Sequence, residues 1–191
     1  MRKWFAYGGI AASVVMIAFG AGTIGLGAFG IDEVRDKLAR ENIVASADDP
    51  AAKELGIAGS KIDTGDEAKA FAAMMREHTL AITGGKTYAE MGRFLDKNGK
   101  ETSDEALAAK DPKTGQPVTN PVRDVWVTET ALTTALNQSF FAERVAVFSI
   151  VMGVALLLTG IGFLVLTLGG ALGFIPVPAR GKRLNAASAA T

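Results

Sequence analysis

Residues 145–175 read VAVFSIVMGVALLLTGIGFLVLTLGGALGFI, 31 positions without a charged side chain. At about 1.5 Å per residue a helix of this length reaches roughly 46 Å, against a bilayer hydrocarbon core of roughly 30 Å. Working outward, a second uncharged run, WFAYGGIAASVVMIAFGAGTIGLGAFGI, occupies residues 4–31. Arg2 and Lys3 precede it, and Trp4, Phe5 and Tyr7 stand where an interfacial aromatic belt would lie. A cleaved signal peptide is the competing reading, because Ala28-Phe29-Gly30 is a small-x-small site. The run exceeds the 7–15 residues of an ordinary signal core, which favours an uncleaved anchor.

Charge divides the chain in the same way. All 20 acidic residues, Asp32 to Glu143, fall in the segment 32–144 between the two uncharged runs, together with 15 of the 20 Lys/Arg, so this segment carries a formal charge of −5. That balance argues against nucleic-acid binding, which wants a basic stripe. Around the second run the basic residues are lopsided: Arg180, Lys182 and Arg183 follow it, and Arg144 alone precedes it closely. The positive-inside rule then places both termini in the cytoplasm and residues 32–144 outside. The expected fold is an all-α membrane protein, with two transmembrane helices flanking a small helical extracytoplasmic domain. Its parts are residues 1–3 (cytoplasmic), 4–31 (first span), 32–144 (outer domain), 145–175 (second span) and 176–191 (cytoplasmic basic tail).

Within the outer segment, Val34 and Leu38 lie four apart, so the first helix should continue past the apolar run. Asp48-Asp49-Pro50 opens a short helix in PAAKELGIAG. Thr64 and Glu67 have the spacing of a capping box for EAKAFAAMMREHTLAI, with Phe71, Met75 and Ile82 near one face and Gly84-Gly85 as the stop. TYAEMGRFL reads as another short helix and Asn98-Gly99 as a tight turn. Residues 96–121 read as a polar loop around one short helix, SDEALAAK. Asn120-Pro121 then caps a helix carrying Val125, Leu132, Leu136 and Phe140, which runs on through the second apolar stretch.

Several motifs imitate chemistry. Gly20-Ala21-Gly22-Thr23-Ile24-Gly25 matches the dinucleotide fingerprint, but residues 50–120 hold no β-branched runs to supply the parallel strands it needs, so no nucleotide is expected. Gly84-Gly85-Lys86-Thr87 lacks the first glycine of a phosphate loop, and Asp96-Lys97-Asn98-Gly99 fails calcium-loop spacing. Asn137-Gln138-Ser139 is a formal glycosylation site within a helix. One histidine, His78, and no cysteine leave no means within one chain to build most histidine or thiolate metal sites. Expected catalytic, cofactor and metal sites are therefore none.

The glycines suggest another role. Small residues let helices approach closely in lipid. Ala11, Ala18, Gly22 and Gly25 share a face of the first span. Ala146, Gly153, Gly160 and Thr167 recur every seven residues in the second, and Gly169 and Gly173 follow. These seams are expected to pack the spans on each other or on a partner's helices.

GGKTYAEMGRFLDKNGK, NPVRDVWVTETALTTALNQSFFAERVAVFSIV and ALLLTGIGFLVL resemble actinobacterial membrane proteins of this two-span layout, which often carry the label "aromatic ring-opening dioxygenase". The resemblance covers roughly residues 1–175, most closely 71–168, and implies the topology and a bacterial plasma-membrane setting. It brings no catalytic residue, because extradiol iron needs two histidines and a carboxylate. The expected function is a non-enzymatic, membrane-anchored accessory or scaffolding subunit of a cell-envelope or membrane complex. Its expected partners are membrane lipid and other membrane proteins or further copies of itself. The alternatives are a membrane-bound hydrolase or lipid-modifying enzyme using outer carboxylates, and a homo-oligomeric pore or lipid-binding module.

Overall fold

The computed structural model describes residues 2–169. Gly173, the end of the second apolar run and the basic cluster Arg180, Lys182 and Arg183 lie outside the described residues. Four helices carry the fold: α1 (Arg2–Arg40), α2 (Pro50–Glu54), α3 (Gly65–Ile82) and α4 (Pro121–Leu168). The structure divides into two compact units, one of residues 2–26 and 149–169 and the other Gly27–Phe148.

The first unit is a pair of helix segments, and α1 and α4 are both long and apolar enough to cross a membrane. A Cβ on Gly9 would meet Thr167, one on Gly160 would meet Ser13 and Ile17, and one on Gly20 would meet Gly153 and Leu157. Numbers rise on one helix as they fall on the other, so the pair is antiparallel. Backbones touch because glycine leaves nothing between them. Only 11% of the most apolar window of α1 and 17% of that of α4 is buried. Phe19, Leu26, Leu158 and Val165 are among the large apolar side chains that point away from the pair. A core helix of a water-soluble protein buries such residues.

The second unit is held by side-chain burial and by caps. Its core gathers Leu38 of α1, Ala52 of α2, Ala45, Ile57 and Ile62 of the connecting turns, Ala68, Ala72 and Met74 of α3, and Leu136 of α4. Four of these nine are alanine, so the elements pack near contact there. Asp49 caps α2, its carboxylate accepting from Ala52 N–H at 3.0 Å. The capping box opens α3: Thr64 Oγ1 accepts from Glu67 N–H, and Glu67 Oε2 accepts from Thr64 N–H at 3.0 Å. Gly84 and Gly85 end it at φ +64° and +81°, with Gly85 N–H donating to Leu80 C=O at 2.7 Å. Asn120 Oδ1 accepts from Val122 N–H, and Pro121 takes the first helical position of α4.

The all-α expectation needs one correction. Residues 86–120 form a small lobe with a two-stranded antiparallel sheet, β1 (Phe94–Leu95) and β2 (Glu101–Thr102), closed by the Asn98-Gly99 turn. TYAEMGRFL stays helical only as a 3₁₀ turn, Tyr88–Glu90. Glu90 folds back to accept from Thr87 N–H at 2.7 Å, and Gly92 N–H is taken by the Glu101 carboxylate, so the helix has no next turn. Gly92 is obligatory there, because a Cβ would come within 2.6 Å of Thr102 N. SDEALAAK likewise yields one 3₁₀ turn, Glu105–Leu107, before Ala108 pairs with Asp96. Ile82, expected beside Phe71 and Met75, is exposed.

Candidate functional site

The predicted seam residues fall into two sets. Ala146, Gly153 and Gly160 are buried, as is Thr167 in the same seven-residue register. On α1, however, the buried positions of the pair are Ser13 and Gly20; Ala11, Ala18, Gly22 and Gly25 are exposed, and nothing lies within 4 Å of a Cβ on Gly22 or Gly25. The intramolecular seam on α1 is therefore rotated from the expected face. Ser13 and Thr167 can stand in it because each hydroxyl donates to a carbonyl of its own helix, Gly9 at 2.8 Å and Phe163 at 2.7 Å. Gly169 is exposed.

In the second unit Glu143 forms a clamp. Its Oε1 accepts from Arg35 of α1 at 2.8 Å, and its Oε2 accepts from Gly65 N–H, the first residue of α3, at 2.6 Å. A carboxylate at a helix N-terminus meets both free N–H groups and the positive end of the helix dipole. Gly65 is needed for this approach: a Cβ would lie 2.9 Å from Glu143 Oε2 and 3.0 Å from Phe140 Cα. Arg144 pairs with Asp66 in the same corner, and the Lys69 ammonium sits 4.7 Å over the Phe140 ring.

The 86–120 lobe is fastened to the start of α4. Trp126, almost fully buried, donates its indole N–H to Lys86 C=O at 3.0 Å. Asn120 donates its side-chain amide to Gly92 C=O at 3.0 Å, and Arg123 lies 3.7 Å over the Tyr88 ring. Two carboxyls of the lobe sit below their ordinary values. Glu90 is held there by the N–H and hydroxyl of Thr87, and Asp111 by the backbone N–H groups of Thr114 and Lys113.

Between α3 and α4 lies a cleft of about 390 Å³ whose lining includes Met75, Thr79, Asp124, Val125 and Glu129. Two carboxylates, Asp124 and Glu129, therefore line one shallow, open cleft. Glu129 is the buried one, at 4% exposure, and its Oε2 accepts from the Thr130 hydroxyl at 3.2 Å. The sequence reading did not single it out. The signal was its spacing: Glu129 lies four residues after Val125 and three before Leu132, so it interrupts the apolar stripe that Leu136 and Phe140 continue.

His78 bonds Asp49 through Nε2 at 2.8 Å, which ties α3 to the cap of α2. Among the described residues no three His, Asp or Glu side chains gather as metal ligands would. Compared with protein-family models, with curated proteins and with solved structures, the chain matches none.

Proposed function

We propose that this chain is a non-enzymatic accessory or scaffolding subunit of a cell-envelope or membrane protein complex, anchored by two spans in a bacterial plasma membrane of actinobacterial type. In this reading both termini are cytoplasmic and residues 32–144 lie outside. The supporting observation is the helix pair that touches through glycine and leaves its large apolar side chains unburied. Lipid is the solvent in which that arrangement costs nothing. The antiparallel pairing brings Leu26 and Ser149 to the same end of the pair, as a hairpin of two spans requires. The exposed Ala11, Ala18, Gly22 and Gly25 offer a partner's helix the close approach that the buried glycines give each other.

The test is purification of the native chain in mild detergent, with partner proteins expected to co-purify and a clean monomer overturning the proposal. Topology has its own test, because the chain has no cysteine. An impermeant maleimide added to intact cells should label Asn98→Cys and leave Ser188→Cys unlabelled.

A second reading, the hydrolase or lipid-modifying enzyme, is supported by the cleft that Asp124 and Glu129 share. It requires Glu129→Gln to abolish turnover of an envelope ester or lipid while leaving partner capture intact.

A further inference from the structure

The cleft between α3 and α4 carries a further inference, independent of the scaffolding reading. Thr79 of α3 is 5% exposed and its hydroxyl has no hydrogen-bond partner among the described residues. Among the described residues no sealed side-chain oxygen lacks a partner, so this hydroxyl reaches open space, and the space Thr79 lines is the cleft. Glu129 is 4% exposed as well: Oε2 takes the Thr130 hydroxyl, Oε1 has no hydrogen-bond partner among the described residues, and the residue lines both this cleft and a second groove. Asp124 adds a second carboxylate. No Lys or Arg lines this cleft; Lys69 and Arg76 face Glu129 from a separate groove, and neither forms an ion pair with it. Buried carboxylates are ordinarily paired.

From these residues we propose that the cleft binds an alkylammonium group. An ammonium has three N–H donors and no acceptor. Glu129 Oε1, Thr79 Oγ1 and the Asp124 carboxylate supply three acceptors and no competing donor beyond one hydroxyl. Met75, Pro121 and Val125 give the alkyl stem an apolar wall. A metal ion suits the site less well, because calcium and magnesium take six or more oxygen ligands and gain nothing from hydrocarbon. The cleft is shallow and open, with a volume of about 390 Å³, so it suits a small headgroup at the surface rather than an enclosed ligand.

Titration of the detergent-solubilised full chain with n-pentylamine, followed by calorimetry and by the amide shifts of residues 75–79 and 124–129, tests the site. Saturable binding is expected, weaker by about tenfold or more in Glu129→Gln, the loss that one charge-assisted hydrogen bond implies. Thr79→Val, which keeps the shape of the side chain, should weaken it severalfold. Near-UV circular dichroism of Trp126 confirms that each variant is folded. Pentan-1-ol should not bind. A parallel titration with N-acetyl-lysine amide distinguishes a free amine from a protein's lysine as the source, according to which binds more tightly. Absence of saturable binding of either ammonium, unchanged affinity in folded Thr79→Val, or displacement of pentylamine by equimolar calcium would overturn the proposal.

Discussion

The helix pair of residues 2–26 and 149–169 and the unit Gly27–Phe148 are held together by opposite means. In the pair, cohesion comes from removing side chains: Gly20 faces Gly153, and Gly160 faces Ser13 and Ile17, so that backbone meets backbone. In the larger unit it comes from adding them. Leu38, Ile62 and Leu136 fill a core, and Glu143, Trp126 and Asn120 each bond a backbone group on another segment. The difference teaches what each unit has for a solvent. Burying leucine gains free energy only where water is the alternative, whereas close packing of bare backbone gains dispersion energy in either medium.

The sharpest way to break the comparison is to give the pair a side chain at its seam. Gly153→Ile should cost about 2–3 kcal/mol or separate the helices altogether, because the new Cβ would meet Gly20 C=O at 2.7 Å and backbone cannot step aside. The readout is energy transfer between labels on the two helices. Gly22→Ile and Gly25→Ile should leave that transfer unchanged, since open space surrounds both positions. If the proposed partner packs there, the same two variants should lose it on pull-down.

Smaller effects belong to the larger unit. Glu143→Ala leaves Arg35 and Gly65 N–H without their acceptor and should destabilise the unit by about 1–2 kcal/mol in chemical unfolding. Trp126→Phe keeps most of the ring and loses only the donor to Lys86 C=O, worth about 1 kcal/mol on the same assay.

The smallest effect is with pH. Asp111 is held below its ordinary value by N–H groups of Thr114 and Lys113, so it binds its proton more weakly in the folded lobe than in the unfolded chain. Its contribution is present above the ordinary carboxylate value and is lost as pH falls through the lower, folded value. The amide shifts of Lys113 and Thr114 should titrate with a midpoint below that of a free aspartate. A midpoint at or above it would refute the turn geometry.

Legibility in the sequence followed the range of the interaction. The two apolar runs, the Thr64/Glu67 box, the Gly84-Gly85 stop and the Asn120-Pro121 start are written in neighbouring residues, and the structure shows each of those caps and both long helices. The β1–β2 hairpin was not legible as a sheet, because what stops a helix after Glu90 is the Glu101 carboxylate, nine residues beyond the N–H of Gly92 that it takes. The rotation of the α1 seam was hidden for a related reason. Gly, Ala and Ser crowd several faces of that helix, and only the position of α4 decides which face is used. Glu129 was one of 20 acids until α3 packed over it.

The Glu143 clamp also sets an order of events. Its partners, Gly65 and Arg35, precede it by 78 and 108 residues. At bacterial or eukaryotic elongation rates Arg35 is made about 5–20 s before the carboxylate it will hold. On the nascent chain the Thr64/Glu67 box can cap α3 at once, but the Gly65 N–H waits for its acceptor, which the ribosome supplies only as the second apolar run begins to be made.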